Sequence, residues 1–146
     1  MRITLWVAAG SALGGLSRYG VDGLMQVAGW VAFPWGTLLA NTFGSLLIGS
    51  VAAWAAADPA ERTLPTHWRQ FAVNGFCGGF TTFSIFNLET LALLERSAAL
   101  AAANMAATAV LCLVAVAIGY AGTSQWLRAR RAPATGDQNE SAREGP

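Results

Sequence analysis

The chain has 146 residues, 54% of them hydrophobic and only 12% charged, against about 25% charged in an ordinary soluble domain, which argues against a soluble enzyme. Nine arginines, no lysine and a net charge of +1 leave no basic face for nucleic acid. Ten of the charges fall in residues 1–127 and seven in the last nineteen, so a membrane domain over 1–127 with a polar tail over 128–146 fits the pattern.

A bilayer-crossing helix needs about 20 mostly apolar residues, and residues 3–27 form the first candidate, interrupted by Arg18 and Asp22. This stretch could instead be a signal peptide, but apolar sequence resumes to Phe33 and no long extracellular domain follows. After a short connection over 28–34, residues 35–57 make a second span with no charge at all. A loop over 58–70 carries Pro59, Pro65 and several polar residues. Residues 71–94 form a third span that contains Glu89 and a glycine-rich middle. Glu95, Arg96 and Ser97 alone separate it from the fourth, 98–122, which is again free of charge. The tail over 128–146 has the Pro, Gly, Ser and Glu character of a disordered end. The expected fold is an all-α membrane protein of four transmembrane helices. Arg2, Arg62, Arg69, Arg128, Arg130 and Arg131 share one side of that bundle, so the positive-inside rule puts both termini in the cytoplasm.

Polar residues inside spans must face protein or water. Thr37, Asn41 and Ser45 recur at i, i+4 and i+8 on the second span, and Asn104, Thr108 and Cys112 repeat that spacing on the fourth. Helix-to-helix hydrogen bonding explains such stripes equally simply. Two parallel stripes among four helices point further, to a polar route whose neutral donors suit an anion that must enter and leave without being trapped. Cys112, with Cys77, lies in apolar sequence and reads as a small hydrophobe; His67 is the only histidine, so no His/Cys metal centre is expected.

The third span reads Asn74-Gly-Phe-Cys-Gly-Gly-Phe-Thr-Thr-Phe-Ser-Ile-Phe-Asn-Leu-Glu89. Three glycines, two threonines and a serine are poor material for an unbroken helix, which predicts a break near 78–84. Irregular backbone at membrane depth lines a cavity or is buried in protein, and its freed carbonyls are natural ion ligands; a simple kink at a tight glycine crossing is the alternative. Phe83 and Phe86 follow at i, i+3 on one side of the continuing helix. A ring's positive edge can receive an anion.

The pattern GxxxGxTTFSxF over 75–86, with Trp35-Gly36-Thr37-Leu38-Leu39-Ala40-Asn41 and Gly14-Gly15-Leu16-Ser17-Arg18-Tyr19, resembles the Fluc (CrcB) family of small fluoride channels. The likeness runs from residue 1 to about 125. It implies an antiparallel, dual-topology homodimer in a bacterial plasma membrane (the inner membrane if Gram-negative), with two fluoride pathways and passive fluoride efflux. By this resemblance Phe83 and Phe86 line a pathway with Asn41 as amide donor beside them, and Thr37, Ser84, Thr108, Asn104 and Cys112 are further lining candidates. It also implies a structural sodium ion at the dimer centre, held by backbone carbonyls of Gly78 and Thr81 from both subunits.

Arg18 reads as an anion attractor at the pathway mouth or as an ion-pair partner of Asp22. Glu89 reads as a hydrogen-bonded partner of pathway residues, since no nucleophile or second acid accompanies it. The fourth span departs from the family in Asn104, where an aromatic residue is expected, and Cys112, where a hydroxyl is. The arginine bias disfavours equal insertion in both orientations, which leaves pairing with an inverted paralogue open. Two other classes compete: a small multidrug-type cation/proton exporter, which needs an intramembrane carboxylate that only Asp22 offers on the first span, and a purely structural membrane subunit.

Overall fold

The computed structural model describes residues 2–57 and 65–131, without the side chain of Arg131. The loop residues 58–64, including Arg62, and the tail beyond 131 lie outside the described residues. The described chain is helical throughout. Helix α1 is Arg2–Val27 and α2 is Trp35–Ala56. Helix α3 (66–80) is assembled from Thr66–Gln70, a π-helical stretch Phe71–Cys77, and Gly78–Phe80. Helix α4 is Ser84–Arg96 and α5 is Ala98–Arg131.

Three segments are long and apolar enough to cross a membrane: Trp35–Ala56, Thr66–Arg96 and Ala98–Arg130, with mean hydropathies of 1.5, 1.2 and 2.2. Helix α1 has 26 residues, about 39 Å of rise. Five glycines, Arg18, Asp22 and Gln26 dilute its apolar content, so it is not among the three.

The helices run up and down with short connections. Where α1 ends, Gly29 takes φ 77° and the Trp30 N–H reaches back to the Met25 carbonyl at 2.9 Å, the left-handed glycine stop that satisfies terminal carbonyls. At the other hairpin, α4 and α5 are separated by Ser97 alone, whose extended backbone (φ −166°, ψ 123°) reverses the chain.

Two helix pairs carry most of the packing, and both are built on glycine. Helices α2 and α5 form the most extensive contact. A Cβ on Gly49 would collide with the Val116 carbonyl, and one on Gly119 with that of Leu46. Helix α1 packs next most extensively on the π-helical stretch. There Gly10 and Gly14 meet the backbone of Phe71, Gly75, Phe76 and Phe80, while Gly75 and Gly79 meet that of Val7, Gly10 and Ser11. Small residues at i, i+4 on both partners let the backbones approach, as in tightly packed membrane helices. Cys77 is buried and Cys112 half-buried, both as free thiols. Leu16, Tyr19, Leu24, Leu88, Leu113 and Ile118 among others stand exposed, the surface of a helix bundle made for an apolar surrounding.

Replacing Gly14 by Ala should lower the thermal stability of the detergent-solubilised protein, because overpacking against a backbone costs about 1–3 kcal/mol. Gly20→Ala, where a Cβ meets nothing within 4 Å, should leave stability unchanged or raise it by up to about 1 kcal/mol. Circular dichroism melts of both variants check the contrast.

Candidate ion pathway

The break falls at residues 81–83, a narrower interval than the one expected from the glycines. Thr81 is extended at φ −80°, ψ 154°, and the chain returns to helical geometry at Phe83, with φ −96°, ψ −32°. Gly78 and Gly79 remain helical; Gly79 serves the α1 crossing, where a Cβ would collide with the Ser11 backbone.

Several backbone groups released by the break find specific partners. The Thr81 N–H and its Oγ1 both donate to the Cys77 carbonyl, at 2.9 and 2.8 Å. Thr82 has neither helix to bond to, and Asn41 of α2 takes both of its backbone groups. Asn41 Nδ2 donates to the Thr82 carbonyl at 3.0 Å, and its Oδ1 accepts the Thr82 N–H at 2.8 Å. Asn41 is 8% exposed, so this bidentate clamp is shielded. Thr82 Oγ1 in turn accepts the Ile85 N–H at 3.3 Å, starting α4, and lies 3.4 Å from Ser84 Oγ. Helix α2 comes close enough because Gly44 faces Thr81, where a Cβ would collide with the threonine methyl.

Carbonyls are left over by this pattern, those of Gly78 and Thr81 among them. In an unbroken helix the Gly78 carbonyl would accept the Thr82 N–H and the Thr81 carbonyl the Ile85 N–H; both donors are bonded elsewhere. Gly78 is exposed and Thr81 half-buried.

Phe83 and Phe86 follow, with ring centroids 6.0 Å apart and planes tilted by 31°. Phe83 is 76% exposed, Ser84 is exposed and Phe86 is half-buried. The break therefore presents an aromatic ring and a hydroxyl outward.

The two polar stripes divide by chemistry. On α2, Thr37 is 2% exposed and its Oγ1 has no hydrogen-bond partner, while Asn41 is engaged as described; Ser45 is half-buried. On α5, Asn104 is 1% exposed and donates to Thr90 Oγ1 at 2.8 Å, which donates to the Phe86 carbonyl at 2.7 Å. Thr108 Oγ1 is buried without a partner, and Cys112 is half-buried. Thr90 was missed in the sequence, although it stands as far before Ser97 as Asn104 stands after it, and a hairpin turning there sets them opposite each other.

Charged side chains gather toward the end of the bundle where α1 stops and α2 starts. Arg18 Nη1 lies 3.9 Å from Asp22 Oδ2 on the same helix, with both side chains about three-quarters buried. Asp22 rests on Gly36, where a Cβ would clash with its carboxylate. Asp22 and Glu89 line an open cavity of about 440 Å³ with Gln26, Trp30, Trp35 and Arg96. One Glu89 oxygen and the Arg18 Nε are buried and have no partner.

Residues 5–120 match the family model described as CrcB-like protein, Camphor Resistance (CrcB). The chain belongs to the CrcB family. Relatives named fluoride-specific ion channel FluC include one from Rhodospirillum rubrum, 46% identical over 119 residues that cover 81% of this chain and 92% of the relative. Another, from Paramagnetospirillum magneticum, is 44% identical over 78% of this chain and 89% of its own length. One from Thermococcus onnurineus is 39% identical over 82% and 94%. The matched region of this CrcB-family chain takes in the break, its asparagine clamp and the threonines of both stripes.

Asn41→Ala should leave the Thr82 N–H and carbonyl unpaired, at a cost of about 1–3 kcal/mol for each buried group. The expected outcome is amide exchange at residues 82–85 faster by tenfold or more, read by hydrogen–deuterium exchange mass spectrometry, with little change along α5.

Proposed function

We propose that this chain is a subunit of a fluoride channel that lowers cytoplasmic fluoride by passive efflux. The observation that carries the reading is the clamped break with its outward Phe83, in a chain whose relatives are named fluoride-specific channels. The family's activity is conduction, so the chain is not an enzyme. The protein is multi-pass, with α1 as a fourth span beside the three apolar ones, in a bacterial plasma membrane, the inner one where there are two.

A fluoride ion sheds water and must receive donors in exchange at several weak sites, so that it can also leave. Thr108 supplies a hydroxyl that no protein group uses, and Thr37 one that faces the Glu89 carboxyl without a well-formed hydrogen bond. Asn41 retains one amide N–H beyond its bond to Thr82. Ser84, Asn104 and Cys112 complete the polar lining, with Phe83 and Phe86 offering ring edges. Arg18 and Glu89 stand toward the mouth. The partial neutralisation of Arg18 by Asp22 keeps the cation from holding an anion too tightly, and it ties up the one carboxylate of α1.

A single subunit leaves Phe83, Ser84 and Gly78 uncovered. An antiparallel dimer, of two copies or with an inverted paralogue, covers them and pairs the break with its counterpart. The carbonyls of Gly78 and Thr81, lacking their helical donors, fit a sodium ion: two such oxygens from each subunit give a neutral, hard-oxygen set. The ion would supply the charge that ties two broken backbones together; Asn41 and Thr82 hold the oxygens in place from within each subunit.

Phe83→Ile should cut fluoride efflux from potassium-loaded, valinomycin-clamped liposomes by about tenfold, the equivalent of about 1.4 kcal/mol in a barrier, while the protein stays dimeric. Normal flux in that variant removes Phe83 from the pathway, and equal chloride and fluoride flux in the parent protein removes the selectivity. Replacing sodium by N-methylglucamine should weaken dimerisation in dilute detergent, measured by single-molecule subunit counting; an unchanged dimer fraction discards the central ion.

A further inference from the structure

The end of the bundle opposite the charged cavity has a different chemistry. Its described charged side chains are all arginines: Arg2 opening α1, Arg69 in α3, and Arg128 and Arg130 closing α5. The described carboxylates, Asp22, Glu89 and Glu95, stand toward the other end. At the arginine-rich end, Trp54 of α2 and Trp126 of α5 meet edge to face, with centroids 6.3 Å apart and planes at 78°. The Arg130 guanidinium lies over the Trp126 ring, its Cζ 3.9 Å from the centroid.

Below this pair runs an open groove of about 390 Å³ between α2 and α5, lined by Leu47, Ser50, Val51, Trp54, Thr123 and Trp126. The Ser50 hydroxyl donates to the Leu46 carbonyl at 2.9 Å and lies 3.4 Å from that of Gly119, so it asks nothing of an occupant. From Leu47 to Trp54 the groove descends about 10 Å, within the roughly 15 Å of one leaflet's hydrocarbon. Tryptophans mark the depth of the headgroups.

We propose that this groove binds an anionic glycerophospholipid, with its phosphate on Arg130 and one acyl chain along Leu47, Val51 and Trp54. A guanidinium stacked on an indole keeps its in-plane N–H groups free for two parallel bonds to phosphate oxygens. The choice of an anionic over a zwitterionic headgroup rests on the arginines gathered at this end, Arg2, Arg69, Arg128 and Arg130, which attract a net negative headgroup. The site is separate from the break and does not depend on which ion the protein conducts.

The test uses the full-length protein in nanodiscs of phosphatidylcholine with graded phosphatidylglycerol, one or the other carrying brominated acyl chains. Tryptophan quenching is read as the difference between the parent protein and Trp54→Phe/Trp126→Phe. Brominated phosphatidylglycerol should quench this component at about fivefold lower mole fraction than brominated phosphatidylcholine, the ratio that corresponds to ~1 kcal/mol for one arginine at an anionic surface. Arg130→Gln should bring the ratio close to one with helicity unchanged. Native mass spectrometry of the parent and Arg130→Gln proteins, counting retained phosphatidylglycerol, gives the same comparison without the tryptophan variants. Equal quenching by the two lipids overturns the proposal, as does a preference that survives Arg130→Gln. Absence of quenching by either lipid also overturns it and assigns the groove to a second copy of the chain.

Discussion

A backbone broken inside a membrane cannot leave its N–H and carbonyl groups bare, because no water is there to receive them. Residues 81–83 meet that requirement with a small set of side chains. Thr81 turns its hydroxyl back onto Cys77, and Thr82 caps the helix that follows. Asn41 then supplies what no hydroxyl can, a donor and an acceptor side by side that match one peptide unit. This explains why the break is written in threonines and why an amide, rather than a third hydroxyl, stands opposite it on α2.

The clamp works only if α2 can reach the break, and that distance is set by residues without side chains. Gly44 admits Thr81, while Gly49 and Gly119 seat α2 on α5. On the other side, Gly10 and Gly14 interlock with Gly75 and Gly79, fixing α3 against α1 up to the point where it stops. The π-helical stretch Phe71–Cys77 sits against α1 throughout this crossing, and such stretches recur near functional sites because they re-aim the residues that follow.

The helices, their order and the break were legible because they rest on local composition: apolar length, proline and glycine punctuation, and threonines where a helix is costly. The edges of the break were not, since Gly78 and Gly79 look like breakers in sequence but stay helical, Gly79 in tertiary contact with Ser11 of α1. The π-helical stretch had no local signal of its own; it belongs to the α1 crossing. The first span illustrates the converse. The glycines of α1 and its Arg18–Asp22 pair serve packing and charge placement and leave this 26-residue helix less apolar than the three candidate spans. The stripes were visible as spacing, but spacing cannot tell a donor that is free from one already engaged.

That distinction shapes the chemistry of the polar route. Read along the chain, Asn41 and Asn104 look like its strongest donors, yet both amides are committed to protein partners, one to Thr82 and the other to Thr90. Among the stripe residues the Thr108 hydroxyl is buried without a partner, and that of Thr37 has only the Glu89 carboxyl beside it, with no well-formed hydrogen bond. A hydroxyl turns about a single bond, so it can face an arriving anion and then release it, whereas an amide fixed at both ends holds shape. Under the proposed function the asparagines chiefly hold the backbone and the helix pair in place, and the threonine hydroxyls are the contacts freer to reorient. Permanent charge is kept toward the mouth, where Arg18 is already partly neutralised by Asp22. Under the proposed function, an anion meets weak, neutral, reorientable contacts beyond that point, which is the condition for passing through a site rather than remaining in it.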